Sequence, residues 1–540
     1  MRGLFMRTLL ALALVATPAF AQADTAARGL ATQARGAAAS ADLKARLRRM
    51  AERGARTYRT DGLIPVYTAK NWAASTTFSL GDKANLGNNV AYVVRAGMTG
   101  STMPVTINQA TADGTVIWAI LGYRLPVGYA NSQALVADQL EYNGGKVFRV
   151  TIPGTTASSG TGPTPASLTD GGVTFAYVGE QRLPLVTINT TLTSGYSKIV
   201  QWNGNLNNST TPAARFVGGT IVQSGTNGFG PIHSASNDGT FPYTYSNSGG
   251  NGGAVMTNFE GSAFDIQFFP LSVGLWSDGE LLMAFAGTNA NTYAHVDYSG
   301  VNGASDAVDH VIRLDMDAGT QFVGFYGTTQ SQFYQYTPYD DLRGIIVTDS
   351  FGSTGCAFHF LCYAPTQGRM LGFDDWRVAS QGGTGIVQVN GSIVNYQTRW
   401  NADVLQQLGG NGTVVFLQGS GNDGAQTVAA VDAGARSLIS QTVPRTKTML
   451  VYMGLWNAGP VLDGNYLALN NQAKATAAAL GVPFLDWSDY LTPGGYIGNS
   501  NTNGNSSLLT GSDGVHPSQA GHYLRARRNA LKASAIWNLP

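Results

Sequence analysis

At 540 residues the chain has room for three or four domains, each with its own core. Charged residues are only 12% of it while glycine numbers 68, which excludes a coiled coil or a charge-rich disordered chain; 43% apolar and 10% aromatic residues suffice to pack cores, so the glycines read as turns between strands. A net charge of +1 gives no long-range field to recruit nucleic acid, and no such partner is expected.

Residues 1–23 combine a charged start (Arg2, Arg7), an apolar stretch from Thr8 to Ala16 and a small-x-small site at Ala19-Phe20-Ala21. This is the pattern of a secretory signal peptide, cleaved after Ala21 or Ala23. No later segment has the roughly eighteen uninterrupted apolar residues of a membrane helix. The expectation is an exported protein, secreted, periplasmic or at the cell surface, without a transmembrane segment. Export allows Cys356 and Cys362 to pair, but six residues apart on one regular helix they would face different sides. Pairing requires a loop or helix end between them; the alternative is two small buried thiols.

Residues 24–60 carry nine basic groups against Asp24, Asp42 and Glu52. Ser40 can cap a helix whose Leu43, Leu47 and Met50 form one apolar stripe before Gly54. The prediction is a short amphipathic helix on a basic linker, either a tether to anionic polymers or a solvated spacer.

Two small β modules follow, 61–124 and 125–187, related by an offset of 57 residues. Gly97 matches Gly154, Asp113-Gly114 matches Asp170-Gly171, Trp118 matches Phe175 and Gly122 matches Gly179, while Leu125-Pro126-Val127 reopens the second unit as Ile64-Pro65-Val66 opens the first. Units this small would gain by stacking on one another. With Trp72, Gly81-Asp82, Tyr92 and Asp113-Gly114-Thr115-Val116-Ile117-Trp118, the first resembles the aromatic β modules of chitin-binding-like domains and phage tail proteins. That resemblance makes Trp72, Tyr92 and Trp118 candidates for stacking on sugar rings; the other reading is that they are the cores of tiny domains.

Residues 188–341 hold period-two apolar runs such as His310 to Met316 with no helical segment between them, predicting an all-β sandwich, jelly-roll-like. After Asp341 the texture changes to short apolar strands (Leu342–Val347, Thr413–Leu417, Met449–Met453, Pro483–Trp487) alternating with helical stretches (Asn395–Leu408, Ala425–Gln441, Tyr466–Leu480, Ser518–Ile536). Alternation means a parallel sheet covered on both faces, with reactive groups at the carboxyl ends of its strands.

Four motifs fall there or in adjacent loops. Asp349-Ser350-Phe351-Gly352 puts a serine on a strand-to-helix turn; Gln381-Gly382-Gly383-Thr384-Gly385 lets a backbone N–H approach a substrate closely; Gly419-Ser420-Gly421-Asn422-Asp423 offers an amide donor; Asp513-Gly514-Val515-His516-Pro517 spaces a carboxylate to orient an imidazole. In this order the motifs resemble the SGNH (GDSL-type) hydrolase superfamily over residues 342–540. The resemblance implies a three-layer, flavodoxin-like α/β domain in which Ser350 is the nucleophile, Asp513 and His516 complete the triad, and the Ser350 N–H, Gly382 or Gly383, and Asn422 form the oxyanion hole. Thr348 and Phe351 stand where the family usually has Gly and Leu. His522, on the last helix, reads as structural. No His, Cys or carboxylate cluster has metal-ligand spacing, and no cofactor is expected.

The expected function is a secreted serine esterase acting on ester substituents, foremost O-acetyl groups of a polysaccharide. Alternatives are a lipase, carboxylester or polyester hydrolase, and a non-catalytic adhesin or tail-like protein.

Overall fold

The computed structural model describes residues 42–54, most of 64–201, parts of 214–231, most of 253–455, residues 464–486, Asp513 and residues 515–538. The expected signal peptide lies outside the described residues.

Five parallel strands form the C-terminal sheet: Arg343–Asp349, Asp375–Gln381, Thr413–Gly419, Thr448–Leu455 and Phe484–Leu485. Numbered along the chain, their order in the sheet is 2-1-3-4-5. Alternate residues of each central strand serve opposite faces. Ile346, Phe416, Val451 and Met453 pack with helices Tyr363–Met370 and Gln519–Asn538, while Ile345, Val415, Leu417 and Tyr452 pack with Tyr396–Asp403, Val428–Thr442 and Gly464–Ala479.

The second strand and the helix before it escape the sequence pattern. Asp375–Gln381 is an edge strand carrying Asp375 and Arg377, the former paired with Arg343 Nε at 2.7 Å. In the Tyr363–Met370 helix, a Cβ on Gly368 would come within 2.2 Å of the Trp376 ring, so a weak helix former sits where helix and strand touch.

The upstream sandwich packs a large sheet on a seven-stranded one. Phe259, Leu275 and Leu314 of the first meet Phe264, Phe268, Phe322 and Phe325 of the second in one apolar core.

The 57-residue repeat is visible element by element: strands Lys70–Asn71, Lys83–Leu86, Asn89–Arg95 and Val116–Arg124 recur as Val127–Gly128, Leu140–Asn143, Lys146–Ile152 and Val173–Glu180. Gly114 and Gly171 occupy the same left-handed conformation, φ +62° and +60°. Two expectations are corrected. The counterpart of Val127 is Lys70, not Val66. Nor do the modules share a core: Phe78, Val93 and Trp118 form one, and Leu135, Phe148 and Phe175 another. The first module instead continues the large sandwich sheet, because Ile64–Val66 runs parallel between Val116–Arg124 and Glu280–Ala286.

The linker expectation is also corrected. Residues 42–54 are helical as predicted, but Leu43, Leu47 and Met50 are buried against Leu342, Phe373 and Trp537, and Arg46 and Arg53 pair with Asp340 and Asp374. Burial of three such side chains contributes roughly 1.5–3 kcal/mol each, enough to dock a segment that sequence alone reads as a spacer. Among the described residues, no helix is long and apolar enough to cross a membrane.

Candidate active site

The parallel register sets Asp349 beside Gln381 and Val347 beside Leu417, so the chain leaves three neighbouring strands together at Ser350, Gly382 and Ser420. Ser350 opens a 3-10 turn because the buried Asp349 side chain accepts the Phe351 N–H at 3.0 Å. Burial pushes the Asp349 carboxyl up, against the opposing pull of the Ser420 hydroxyl and the Phe351 N–H.

The last helix is preceded by the histidine loop. His516 Nε2 lies 2.8 Å from Ser350 Oγ, and His516 Nδ1 lies 2.5 Å from Asp513 Oδ2. Asp513 Oδ1 accepts the N–H groups of Val515 and His516, both at 2.9 Å. Burial pushes the Asp513 carboxyl up, but its bonds to the His516 ring and to those two backbone groups outweigh this and hold it below its ordinary value. The residue types and order anticipated from the motifs thus meet in one hydrogen-bonded line.

On the other side of Ser350, a Cβ placed on Gly382 would stand 3.7 Å from the Ser350 Cβ, whereas one on Gly383, at φ +73°, would run into the Asn390 side chain. Gly382 is therefore the glycine beside the serine. Asn422 Nδ2 donates to the Thr384 carbonyl at 3.0 Å, and its backbone N–H donates to Ser420 Oγ at 3.1 Å. Ser420 Oγ in turn donates to Asp349 Oδ2 at 2.6 Å. The buried Asp423 accepts the N–H groups of Ile386, Val387 and Gln388, fixing the end of the glycine loop. Burial raises its carboxyl, and those three bonds oppose the rise. Asp349, Ser420, Thr384 and Asp423 are supporting residues that the motif roles alone do not name; the signal that points to them is their place within the motifs, beside Ser350, Gly383 and Asn422.

A disulfide joins Cys356 and Cys362, with an intervening 3-10 turn at His359–Leu361. His522 lies within 4.8 Å of both sulfurs. Its Nδ1 accepts the Tyr363 N–H at 3.1 Å and its Nε2 donates to the Thr354 carbonyl at 2.8 Å, so neither nitrogen is left for a metal. Burial drives its pKa down to about 3, and the neutral ring ties the loop on both sides of the disulfide.

The aromatic candidates divide. Trp118 is fully buried, edge-on to Phe78, and its indole N–H bonds Asp113 at 3.1 Å; it is core and has no face for a sugar. Trp72 is half-buried and gives its N–H to the same carboxylate at 2.7 Å. Tyr92 is partly buried and packs against the cluster that holds Val90, Leu121 and Trp276 together with Phe358 and Phe360 of the disulfide loop.

No family model matches the chain, and no curated protein does. Among solved structures it is similar to a family two carbohydrate esterase from Clostridium thermocellum in complex with cellohexaose, at 17% identity and TM-score 0.40 over 60% of this chain and 99% of that one. It is also similar to a salicylyl-acyltransferase from a tetracycline biosynthetic pathway, at 15% identity and TM-score 0.46 over 64% and 98%. A third is an acetyl xylan esterase from the rumen bacterium Butyrivibrio proteoclasticus, at 12% identity and TM-score 0.40 over 66% and 100%. At this level of similarity the side chains, not the neighbours, carry the chemistry.

Proposed function

We propose that the chain is an SGNH-type serine esterase, and the observation that carries this is the line Ser350 Oγ, His516 Nε2, His516 Nδ1, Asp513 Oδ2 at 2.8 and 2.5 Å. Ser350 Oγ attacks the acyl carbon while His516 Nε2 takes its proton; Asp513, kept ionised, holds the imidazole and balances the imidazolium. The oxyanion lies toward Gly382 and Asn422, whose second amide N–H is not taken up by any described residue. Return of the proton from His516 to the departing alkoxide leaves an acyl-serine, which water hydrolyses by the same relay.

The strand order 2-1-3-4-5 with both faces covered supports a flavodoxin-like three-layer domain, and the two packed sheets upstream support a jelly-roll-like sandwich. The signal-peptide pattern supports export, where O-acetyl groups on a polysaccharide are the substrate class we favour. A fluorophosphonate probe should label wild type at Ser350. Ser350→Ala and His516→Ala should lower hydrolysis of 4-nitrophenyl acetate by several orders of magnitude with an unchanged fold, because triad members act as a unit. Equal activity in wild type and Ser350→Ala would overturn the assignment.

A further inference from the structure

A backbone donor is only as well aimed as the peptide that carries it. The C=O of one residue and the N–H of the next lie on opposite edges of one planar trans unit, so a bond that holds the oxygen also fixes where the N–H points. This matters at Ser350, whose N–H is one of the oxyanion donors that the proposed reaction needs. The peptide that carries this N–H begins at the Asp349 carbonyl.

Three successive carbonyls at the end of the first strand are held. Arg399 Nη2 donates to the Thr348 carbonyl at 3.1 Å, while its Nη1 donates to the Ala379 carbonyl at 3.0 Å and pairs with Asp403 at 2.7 Å. The Ser350 carbonyl accepts the Ser353 and Thr354 N–H groups at 3.1 and 2.8 Å. Between them, the Asp349 carbonyl accepts the hydroxyl of Ser380 at 2.7 Å. Ser380 is buried on the second strand, in register with Thr348. Ser353 Oγ, also buried, lies 2.8 Å from Ser380 Oγ, and because Ser380 spends its single proton on Asp349, Ser353 is the donor in that pair. Gly352 keeps this corner open: a Cβ there would come within 2.2 Å of the Thr348 methyl and 3.3 Å of Ser380 Oγ.

We propose that Ser380 is a positioning residue for the acyl transfer: by holding the Asp349 carbonyl, its hydroxyl aims the Ser350 N–H at the developing oxyanion. The inference rests on the proposed esterase reading. Ser380 acts through the peptide and not on the substrate. Its effect falls on the transition state, because the full negative charge that the N–H meets is absent from the ground-state ester. Without the hydroxyl, the bonds at Thr348 and Ser350 still hold the chain on either side, but the peptide between them loses the donor that sets its tilt. The nucleophile then stays in place while its N–H loses its aim.

The test compares Ser380→Ala with Ser353→Ala, which removes the neighbouring hydroxyl but leaves the bond from Ser380 to Asp349. Each deletes one small buried hydroxyl, so a purely structural role predicts the same modest loss of melting temperature and the same kinetics in both. On 4-nitrophenyl acetate, Ser380→Ala should lower kcat about tenfold with KM within about twofold of wild type, a smaller loss than outright removal of an oxyanion donor. Ser353→Ala should lower kcat by no more than about twofold. A trifluoromethyl ketone, whose hemiketal with Ser350 carries the same negative oxygen, should bind Ser380→Ala about tenfold more weakly. Equal kinetic losses in the two variants, a kcat within about twofold of wild type in Ser380→Ala, or undiminished affinity of Ser380→Ala for the ketone would overturn the inference while leaving the Ser350 assignment standing. A wild-type protein that hydrolyses no ester and resists the fluorophosphonate would overturn the esterase reading and this inference together.

Discussion

Gly355 and Pro517 meet backbone to backbone: a Cβ on Gly355 would stand 2.4 Å from the Pro517 carbonyl oxygen. The contact joins the disulfide loop after the proposed nucleophile to the loop that presents His516. Gly355 also sits at φ +91°, a conformation that costs an L side chain roughly 1–2 kcal/mol before any clash. Gly355→Ala should therefore push His516 away from Ser350. The expected result is a kcat lowered about tenfold or more, slower fluorophosphonate labelling and a modest loss of melting temperature. Normal labelling kinetics would show that the two loops are not mechanically linked.

Asn422 is oriented by a chain of bonds rather than by burial alone. Asp349 accepts from Ser420, Ser420 accepts from the Asn422 backbone, and the Asn422 amide is pinned to Thr384. Loss of one oxyanion donor typically costs about a hundredfold to a thousandfold in kcat. Asn422→Ala should show a loss of that size with little change in KM, and Ser420→Ala a smaller loss of the same kind. A large KM change with normal kcat in Asn422→Ala would move this residue from transition-state stabilisation to substrate binding.

The second β module has a buried acid that the first lacks. Asp113 is satisfied by the indoles of Trp72 and Trp118 and by the Gly100 N–H. At the positions 57 residues on, Tyr129 and Phe175 replace the indoles, and Glu141 replaces Ala84. Glu141 is fully buried, and neither of its carboxyl oxygens has a hydrogen-bond partner among the described residues. Burial, and then the nearby Asp170 charge, raises it to about 8. The folded chain then keeps a proton that the unfolded chain loses near 4.5, so stability should fall as pH rises from about 4.5 to about 8 and level off above. Glu141→Gln should flatten that slope in melts of the full chain, and hydrogen exchange should place the change at Phe148 and Phe175. An unaltered pH slope in Glu141→Gln would mean that Glu141 is ionised in the folded state.

Legibility followed range. The four motifs are short, and each keeps its meaning within a few residues, so Ser350, Asn422 and the Asp513–His516 spacing could be read directly. The repeat was legible for the same reason, since Gly114 and Gly171 each answer a local need for positive φ. Long-range partners were not. Leu43, Leu47 and Met50 announce an apolar stripe but not that Phe373 and Trp537 receive it. Asp375–Gln381 escaped because an edge strand tolerates charges that a central strand does not. Trp118 illustrates the same gap: a tryptophan in a small module reads equally as platform or core until Asp113 and Phe78 are placed around it.

Modules that did nothing but stack on sugar would be dispensable for turnover of a small ester, but the packing leads to a different prediction. A chain beginning near residue 188 would lack the helix at 42–54, with its three buried apolar side chains, and the strand Ile64–Val66 with its pairing to Glu280–Ala286. It would also uncover Phe358, Phe360 and Leu281 at the joint between sandwich and C-terminal domain. At about 2–4 °C per kcal/mol for a domain of this size, the melting temperature should fall by roughly ten degrees or more. Activity on 4-nitrophenyl acetate should fall with it, because the loop beside His516 loses its support. Excision of residues 127–181 alone should be milder. The second module has a separate core and meets the sandwich through small surfaces such as Gly128 on Leu185 and Gly145 on Gly300. Melting and small-ester turnover of the two shortened chains measure this directly. If the chain from residue 188 matches wild type in both, the first module is an appendage and its contacts with the disulfide loop are incidental.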